Sequence, residues 1–259
     1  MLGEAMKNPI VLVLSLAFAT SPALADVTAT REYDFTLAEG GRISLDNVNG
    51  DIDIEGVAGD HVHVLAKLKA DSQEYLDALN IEVESSDDLV RIETHHPKSG
   101  NRWFNNGGDS GGSVSYELKV PSGSRLDSIE TVNGDIHITG VKGPVSVETV
   151  NGKMILSGLA DDAKMDTVNG AIDARFDVLG GAQRVKAETV NGRVVLQLPA
   201  DTSAEVHAET LNGGIDADDF GLKPDKGFVG RDLDGSIGDG QARLHVDTVN
   251  GSVTIRRNK

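Results

Sequence analysis

The sequence predicts an all-β protein: a single-stranded β-solenoid of about 18–22-residue coils with a less regular N-terminal β cap. Three observations carry this prediction. A Thr-Val-Asn-Gly-like tetrapeptide recurs along the chain, and apolar and polar residues alternate in the stretches between its copies. These stretches show no helical periodicity of useful length. The composition agrees, because 30 glycines allow many tight turns while aromatic residues make up only 4% of the chain. The core must therefore be built from Val, Ile, Leu and Ala.

The repeat is marked by Asn-Gly, usually preceded by Thr-Val. Successive copies from Asn133 to Asn250 are 18, 18, 22, 21, 22 and 16 residues apart, if Asp234-Gly235 is counted as a degenerate copy. Asn49-Gly50 is an early outlier. The predicted structural turn ladder consists of Asn133, Gly134, Asn151, Gly152, Asn169, Gly170, Asn191, Gly192, Asn212, Gly213, Asn250 and Gly251.

Each repeat contains two short stretches with period-2 alternation, such as Ile136-x-Ile138 and Val145-x-Val147, which is typical of half-buried strands. Asn-Gly between strands is also the strongest short hairpin signal, so a stack of hairpins is the competing interpretation. Coils stacked about 4.8 Å apart explain the registration better, because they bring the same residue types together. Stacked Asn side chains would then form an amide ladder.

The chain divides into three predicted parts. Residues 1–25 indicate a signal peptide, with the basic Lys7, an apolar stretch over residues 10–19 and an A-x-A cleavage site at residues 23–25. Residues 26–120 are the N-terminal cap and first coils, with a Gly/Asn-rich loop at 97–112, and residues 121–259 are the regular repeats. Strands are expected at residues 80–84, 89–94 and 113–120. We therefore expect an exported protein, periplasmic or surface-associated.

Residues 41–54, residues 116–121 and the Thr-Val-Asn-Gly array together resemble the bacterial putative-adhesin family of β-strand-repeat proteins. This family is a domain of unknown function related to auto-transporter adhesin head domains. The resemblance covers nearly the whole mature chain. It implies the β-repeat fold and supplies no catalytic residues.

A column of carboxylates is predicted beside the turns, because the residue before each repeat Thr is acidic. Arg231 takes this place at the degenerate copy. Like charges about 4.8 Å apart need neutralisation, by Ca²⁺ or by neighbours such as Lys164 and Lys186. No other cofactor is expected, and a solvated, partly paired face is the alternative to Ca²⁺. The possible Ca²⁺ ligands are Glu130, Glu148, Asp166, Glu188 and Glu209, with Asp247 at the last copy.

The loop at 97–112 contains the only Trp and is the predicted binding site, where an aromatic ring beside polar donors could stack on a sugar. The candidate residues are Arg102, Trp103, Phe104 and Asn105. The same loop contains Gly-Asp-Ser-Gly-Gly around Ser110, which resembles a serine-hydrolase motif. The upstream His and Asp of a triad, and the strand and helix of a nucleophile elbow, are not recognisable around it. His137, His207 and His245 are expected to face solvent, and neither His61 with His63 nor His95 with His96 has a third metal ligand at a suitable spacing.

Charge and composition limit the functional classes. The formal net charge of −17 disfavours nucleic acid, and the absence of Cys excludes disulfides and thiolate chemistry. The sequence therefore favours a non-catalytic, adhesin-like binding module or envelope scaffold, whose partner is a cell-surface glycan or an envelope protein. The alternative is a polysaccharide-acting enzyme on a β-helix.

Overall fold

The structure, a computed structural model, describes residues 11–12, 26–97, 111–225 and 230–258. These residues form two long sheets of mostly parallel strands, with one short α-helix, α1 (Gln73–Ala78), and one 3-10 turn, Asp218–Phe220. The expected all-β fold class is confirmed.

Sheet A has eleven described strands. In spatial order they are β1 (Val11–Leu12), β2 (Val27–Thr36), β5 (His61–Ala70), β8 (Gly112–Pro121), β4 (Ile52–Val57), β10 (Ile136–Thr139), β12 (Met154–Leu159), β14 (Ile172–Phe176), β16 (Val194–Leu198), β21 (Val253–Arg257) and β18 (Ile215–Asp216). Strands β1, β2, β5 and β8 pair antiparallel, and every pairing from β8 to β18 is parallel.

Sheet B has ten described strands. In spatial order they are β19 (Arg231–Ile237), β17 (Ala204–Asn212), β20 (Ala242–Asn250), β15 (Arg184–Asn191), β13 (Ala163–Asn169), β11 (Val145–Asn151), β9 (Arg125–Asn133), β3 (Arg42–Asp46), β7 (Leu89–His95) and β6 (Asn80–Ser86). The pairs β17–β19 and β6–β7 are antiparallel, and all the others are parallel.

The chain alternates between the sheets: each repeat strand of sheet B runs through its Asn-Gly turn into a strand of sheet A. Alternate residues point inward, so Val145 and Val147 of sheet B and Ile136 and Ile138 of sheet A are buried in a single hydrophobic core. The expected strands near residues 80–84, 89–94 and 113–120 are present as β6, β7 and β8.

The spatial order of the coils differs from their order in the sequence. The last repeat, β20 and β21, lies between the β15–β16 and β17–β18 coils. The early Asn49-Gly50 copy is no outlier, because Asn49 pairs with Asn133 as the first member of the array. The interpretation of Asp234-Gly235 as a degenerate turn is wrong. These residues lie inside β19, opposite His207 and Val206, because β19 runs antiparallel to β17.

The turn glycines are required by close stacking rather than by a left-handed backbone. A Cβ on Gly170 would lie 1.7 Å from the carbonyl oxygen of Gly152 on the adjacent coil. Of the turn glycines only Gly50, with φ of 126°, has a positive φ, and no described non-glycine residue has one. The usual reason for Asn-Gly in hairpins therefore does not apply at these turns.

Candidate functional site

The outer face of sheet B carries one carboxylate on each of its ten described strands, at matching register positions. We call this set the carboxylate row. Neighbouring strands place its members about 4.8 Å apart at the backbone. In spatial order the row is Glu82, Glu93, Asp46, Glu130, Glu148, Asp166, Glu188, Asp247, Glu209 and Asp232.

The structure brings the five predicted Ca²⁺ ligands into this row, but not in the predicted sequence order. The neighbour of Glu188 is Asp247, because β20 separates β15 from β17. Arg231 lies opposite Thr210, so Asp232 continues the row instead. No repeat marks the members before Glu130 in the sequence, because no Asn-Gly turn follows Glu82 or Glu93 and Asn49-Gly50 lies far from the regular array.

Several carboxylates of the row are paired with a cation two residues earlier on the same strand. The closest oxygen of Asp166 lies 2.7 Å from the amine of Lys164, and that of Glu188 lies 2.7 Å from the amine of Lys186. These hydrogen bonds raise the pKa of both lysines. Such exposed pairs contribute little to stability, about 0–1 kcal/mol each. Ca²⁺ binding along the row stays a prediction, which a melting temperature unchanged by excess Ca²⁺ and by chelator would contradict.

Asp46 is the carboxyl in the row whose ionisation the fold most clearly opposes. Burial raises its pKa, and the neighbouring charges of Glu130 and Glu93 raise it further. Asp46 pairs with these two residues on the adjacent strands β9 and β7. Like charges directly opposite each other destabilise a sheet.

A second row of outward-facing side chains is aliphatic and lies two positions after the carboxylates. We call it the aliphatic row. Its members lie two positions before each turn glycine, between the Thr and the Asn that pair with neighbouring strands. They are between 38% and 49% exposed. The row comprises Val132, Val168, Val190, Val249 and Leu211.

Six members of the carboxylate row and four of the aliphatic row line a shallow trough of about 620 Å³ on sheet B. Thr149, Thr167, Thr189, Thr210 and Thr248 border it between the rows, and Arg231, Asp232 and Asp234 of β19 border it at one end. The surface thus presents carboxylates and aliphatic side chains side by side across successive strands. The sequence offered a signal for the aliphatic row, the constant Val or Leu before each Asn, but its exposure follows only from the strand orientation.

The turn asparagines form a continuous ladder at the edge of this face. Each side-chain amide after the first donates to the side-chain oxygen of the preceding Asn in the ladder, at 2.8–2.9 Å. In spatial order the ladder is Asn49, Asn133, Asn151, Asn169, Asn191, Asn250 and Asn212. Buried Thr hydroxyls next to it, such as that of Thr248, donate to a glycine carbonyl of the adjacent coil. The ladder fixes the coils in register.

A second depression, of about 580 Å³, lies on the outer face of sheet A. Its histidines already have carboxylate partners: His63 Nδ1 lies 2.9 Å from Asp34 and His137 Nδ1 lies 2.9 Å from Asp53. Each of these two pairs consists of one imidazole and one carboxylate.

Two sets of predicted features lie outside the described residues. Arg102, Trp103, Phe104 and Asn105, together with Ser110, fall in residues 98–110, and the binding-loop hypothesis stays a prediction. The predicted signal peptide falls in residues 1–25, of which the structure describes only the short β1. Within the described ranges, no helix has the length and apolarity that a membrane span requires.

Comparisons with known proteins place these features in a family context. A family model described as Toastrack DUF4097 matches residues 25–256. No curated protein matches the chain significantly.

The solved structures that match this chain share little sequence with it. A putative cell adhesion protein from Clostridium sporogenes has 18% identity and a TM-score of 0.48, over 88% of this chain and 100% of its own. A putative adhesin from Bacteroides fragilis has 13% identity and a TM-score of 0.40, over 93% and 100%. A putative lipid binding protein from Parabacteroides distasonis has 17% identity and a TM-score of 0.26, over 90% and 97%.

Proposed function

This chain belongs to the Toastrack DUF4097 family, and from that premise we propose that it is an exported, adhesin-like and non-catalytic binding module of the bacterial cell envelope. In this proposal the strands of residues 26–120 cap the array, and residues 121–259 supply coils of 18–22 residues that display the binding surface. That surface is the trough on sheet B.

The single observation that carries the proposal is the exposure of the aliphatic row. Val168, Val190, Val249 and Leu211 lie on four successive strands and point away from the core. Isolated exposed apolar residues are normal, but an aligned set bordered by charges is typical of an interaction surface. Apolar residues at the centre and polar residues at the rim are the usual anatomy of a protein interface.

Charge defines the chemistry of the partner. The carboxylate row borders the trough along its length, and the whole chain carries a formal charge of −17. A partner with cationic groups beside an apolar patch would complement this surface, whereas anionic glycans would be repelled. We therefore favour an envelope protein with a basic surface over a cell-surface glycan.

The shape of the trough supports binding rather than catalysis. Hydrolysis of a glycosidic bond needs two carboxyl groups that flank one bond with separate acid and base roles. The carboxylates of sheet B stand side by side in an open row, and several are paired with Lys or His on their own strands.

The proposal is tested by comparing partner retention from solubilised envelope proteins on immobilised wild-type protein and on two variants. Val168→Ser with Val190→Ser removes part of the aliphatic row and leaves every charge in place. The matched control, Ile155→Ser with Val178→Ser, removes two exposed aliphatic residues outside the row. We expect a basic partner to be retained by wild type and control and lost from the trough variant.

Equal retention of the same partners by all three proteins would refute the role of the trough. Retention of a purified glycan instead of a protein would transfer the proposal to glycan binding. Release of reducing ends from soluble polysaccharides by the wild-type protein would overturn the non-catalytic assignment and favour the enzyme alternative.

A further inference from the structure

The insertion of the last repeat into the array brings together two histidines that are distant in sequence. Because β20 pairs with β17, His245 lies directly beside His207 on the outer face of sheet B. On the other side of β17, the antiparallel strand β19 places Asp234 opposite His207. Three strands thus contribute imidazole and carboxylate groups to one place.

The donor atoms of this cluster converge. The two imidazole rings are stacked, with centroids 5.1 Å apart and planes inclined by 12°. One donor atom each of His207, His245 and Asp247 lies within 4.8 Å of the others. His245 Nε2 is 2.8 Å from an oxygen of Asp247, and His207 Nε2 is 3.3 Å from an oxygen of Glu209.

The contact of His207 with Asp234 indicates which ring nitrogen carries the proton in the neutral imidazole. Its Nδ1 lies 2.6 Å from a carboxylate oxygen of Asp234. A carboxylate accepts hydrogen bonds, so in the neutral imidazole Nδ1 carries the proton and Nε2 has the lone pair. A carboxylate that holds one ring nitrogen while the other binds an ion is the usual support of a metal-binding histidine.

We propose that His207, His245 and Asp247 form a binding site for a divalent transition-metal ion, of which Zn²⁺ is the best match. Two imidazoles and a carboxylate are borderline ligands that suit zinc, whereas Ca²⁺ and Mg²⁺ take oxygen ligands. Tetrahedral zinc with bonds of about 2.0–2.1 Å needs donor atoms about 3.3 Å apart. Small side-chain rotations would bring the three donor atoms to this separation. Glu209 or water completes the coordination.

A further feature of Asp247 agrees with this assignment. Its second carboxylate oxygen is buried and has no hydrogen-bond partner, which is unusual for a charged group. A bound cation would compensate the charge of this carboxylate. The site contains no member of the aliphatic row, and of its three ligands only Asp247 lines the trough.

The experiment is a calorimetric titration of Zn²⁺ into the purified protein without a histidine tag. We expect one equivalent to bind, and His207→Ala and His245→Ala each to lower the affinity at least about tenfold. Asp234→Asn leaves all three ligands intact and should weaken binding about 10–100-fold, because it removes the support of His207. His137→Ala is the matched control, since His137 also pairs with a carboxylate, whereas among the described histidines only the rings of His207 and His245 are stacked on each other.

The outcomes are distinguishable. Wild-type stoichiometry and affinity in the double variant His207→Ala/His245→Ala, with an unchanged circular dichroism spectrum, would overturn the site. Equal loss of affinity in His137→Ala would also overturn it, by showing that surface histidines bind zinc without this geometry. If a variant unfolds, the isosteric Asp247→Asn and His245→Gln serve instead. Partner retention by the trough should not change in His207→Ala or His245→Ala, whose side chains do not line it, so the two proposals fail separately.

Discussion

Replacing Gly213 by Ala should destabilise the protein, whereas the same change at the neighbouring Gly214 should not. A Cβ on Gly213 would lie 1.7 Å from the carbonyl oxygen of Gly251, while a Cβ on Gly214 meets no atom within 4 Å. Real Cβ atoms essentially never approach another heavy atom within 3.0 Å, so the two turns must separate by about 1.3 Å or more. Neither glycine has a positive φ, so backbone strain does not distinguish them.

Separation of the turns would break three hydrogen bonds between the coils. They are the backbone bond from Gly251 to Asn212 at 3.2 Å, the hydroxyl bond from Thr210 to Gly251 at 2.8 Å and the amide bond from Asn212 to Asn250 at 2.9 Å. At a net ~0.5–1.5 kcal/mol each, Gly213→Ala should cost about 1.5–4.5 kcal/mol. Gly214→Ala should be neutral or stabilise by up to about 1 kcal/mol, because Ala restricts the unfolded chain.

Urea denaturation followed by circular dichroism measures both variants against the wild type. We expect the midpoint to fall for Gly213→Ala at an unchanged slope, and to stay or rise for Gly214→Ala. Equal midpoints for the two variants would refute the conclusion that the turn glycine is required by contact with the adjacent coil. Gly170→Ala in the middle of the array should repeat the loss, because its Cβ would also lie 1.7 Å from a glycine carbonyl.

Two further predictions concern the ladder and the carboxylate row. Asn169→Ala removes two amide hydrogen bonds of the ladder, whereas Asn212→Ala removes one. Asn169→Ala should therefore lower the free energy of unfolding by about 1 kcal/mol, and Asn212→Ala by about half of that. Equal losses in the two variants would argue against the ladder. Asp46→Asn should stabilise the protein by a few tenths of a kcal/mol at pH 7. The pKa of Asp46 is raised by folding, so its ionisation penalty is fully present above the folded-state pKa and vanishes as the pH falls below the unfolded-state pKa. The gain should therefore shrink on acidification in denaturation midpoints measured from pH 7 to 3, and a gain that stays constant over this range would contradict the prediction.

The sequence predicted well whatever depends on local periodicity. Alternation around Ile136 and Val145 indicated strands, and the recurrence of Asn-Gly along the chain indicated stacked coils with an amide ladder. Both signals arise from one strand or one turn, where side chains alternate between core and solvent. The same logic identified the carboxylates from Glu130 to Asp247 and their compensation by Lys164 and Lys186.

The failures concern which coil lies beside which. Asp234-Gly235 has the local sequence of a turn, but the residues lie inside β19, because that strand runs back along β17. Asn49 looked isolated, yet it accepts a hydrogen bond from Asn133, 84 residues later. A local pattern contains no information about which strand is its neighbour, since every repeat edge offers nearly the same hydrogen bonds and apolar residues.

The sequence by itself thus determined the fold class, the outward position of the carboxylates and the identity of the turn residues, because each depends on the alternation of side chains along a single strand. Only the tertiary structure decided that β20 enters between β15 and β17, that the carboxylate row crosses all ten described strands of sheet B, and that His207 lies beside His245. Those contacts join residues that are far apart in the sequence, and they depend on how whole strands pair in three dimensions.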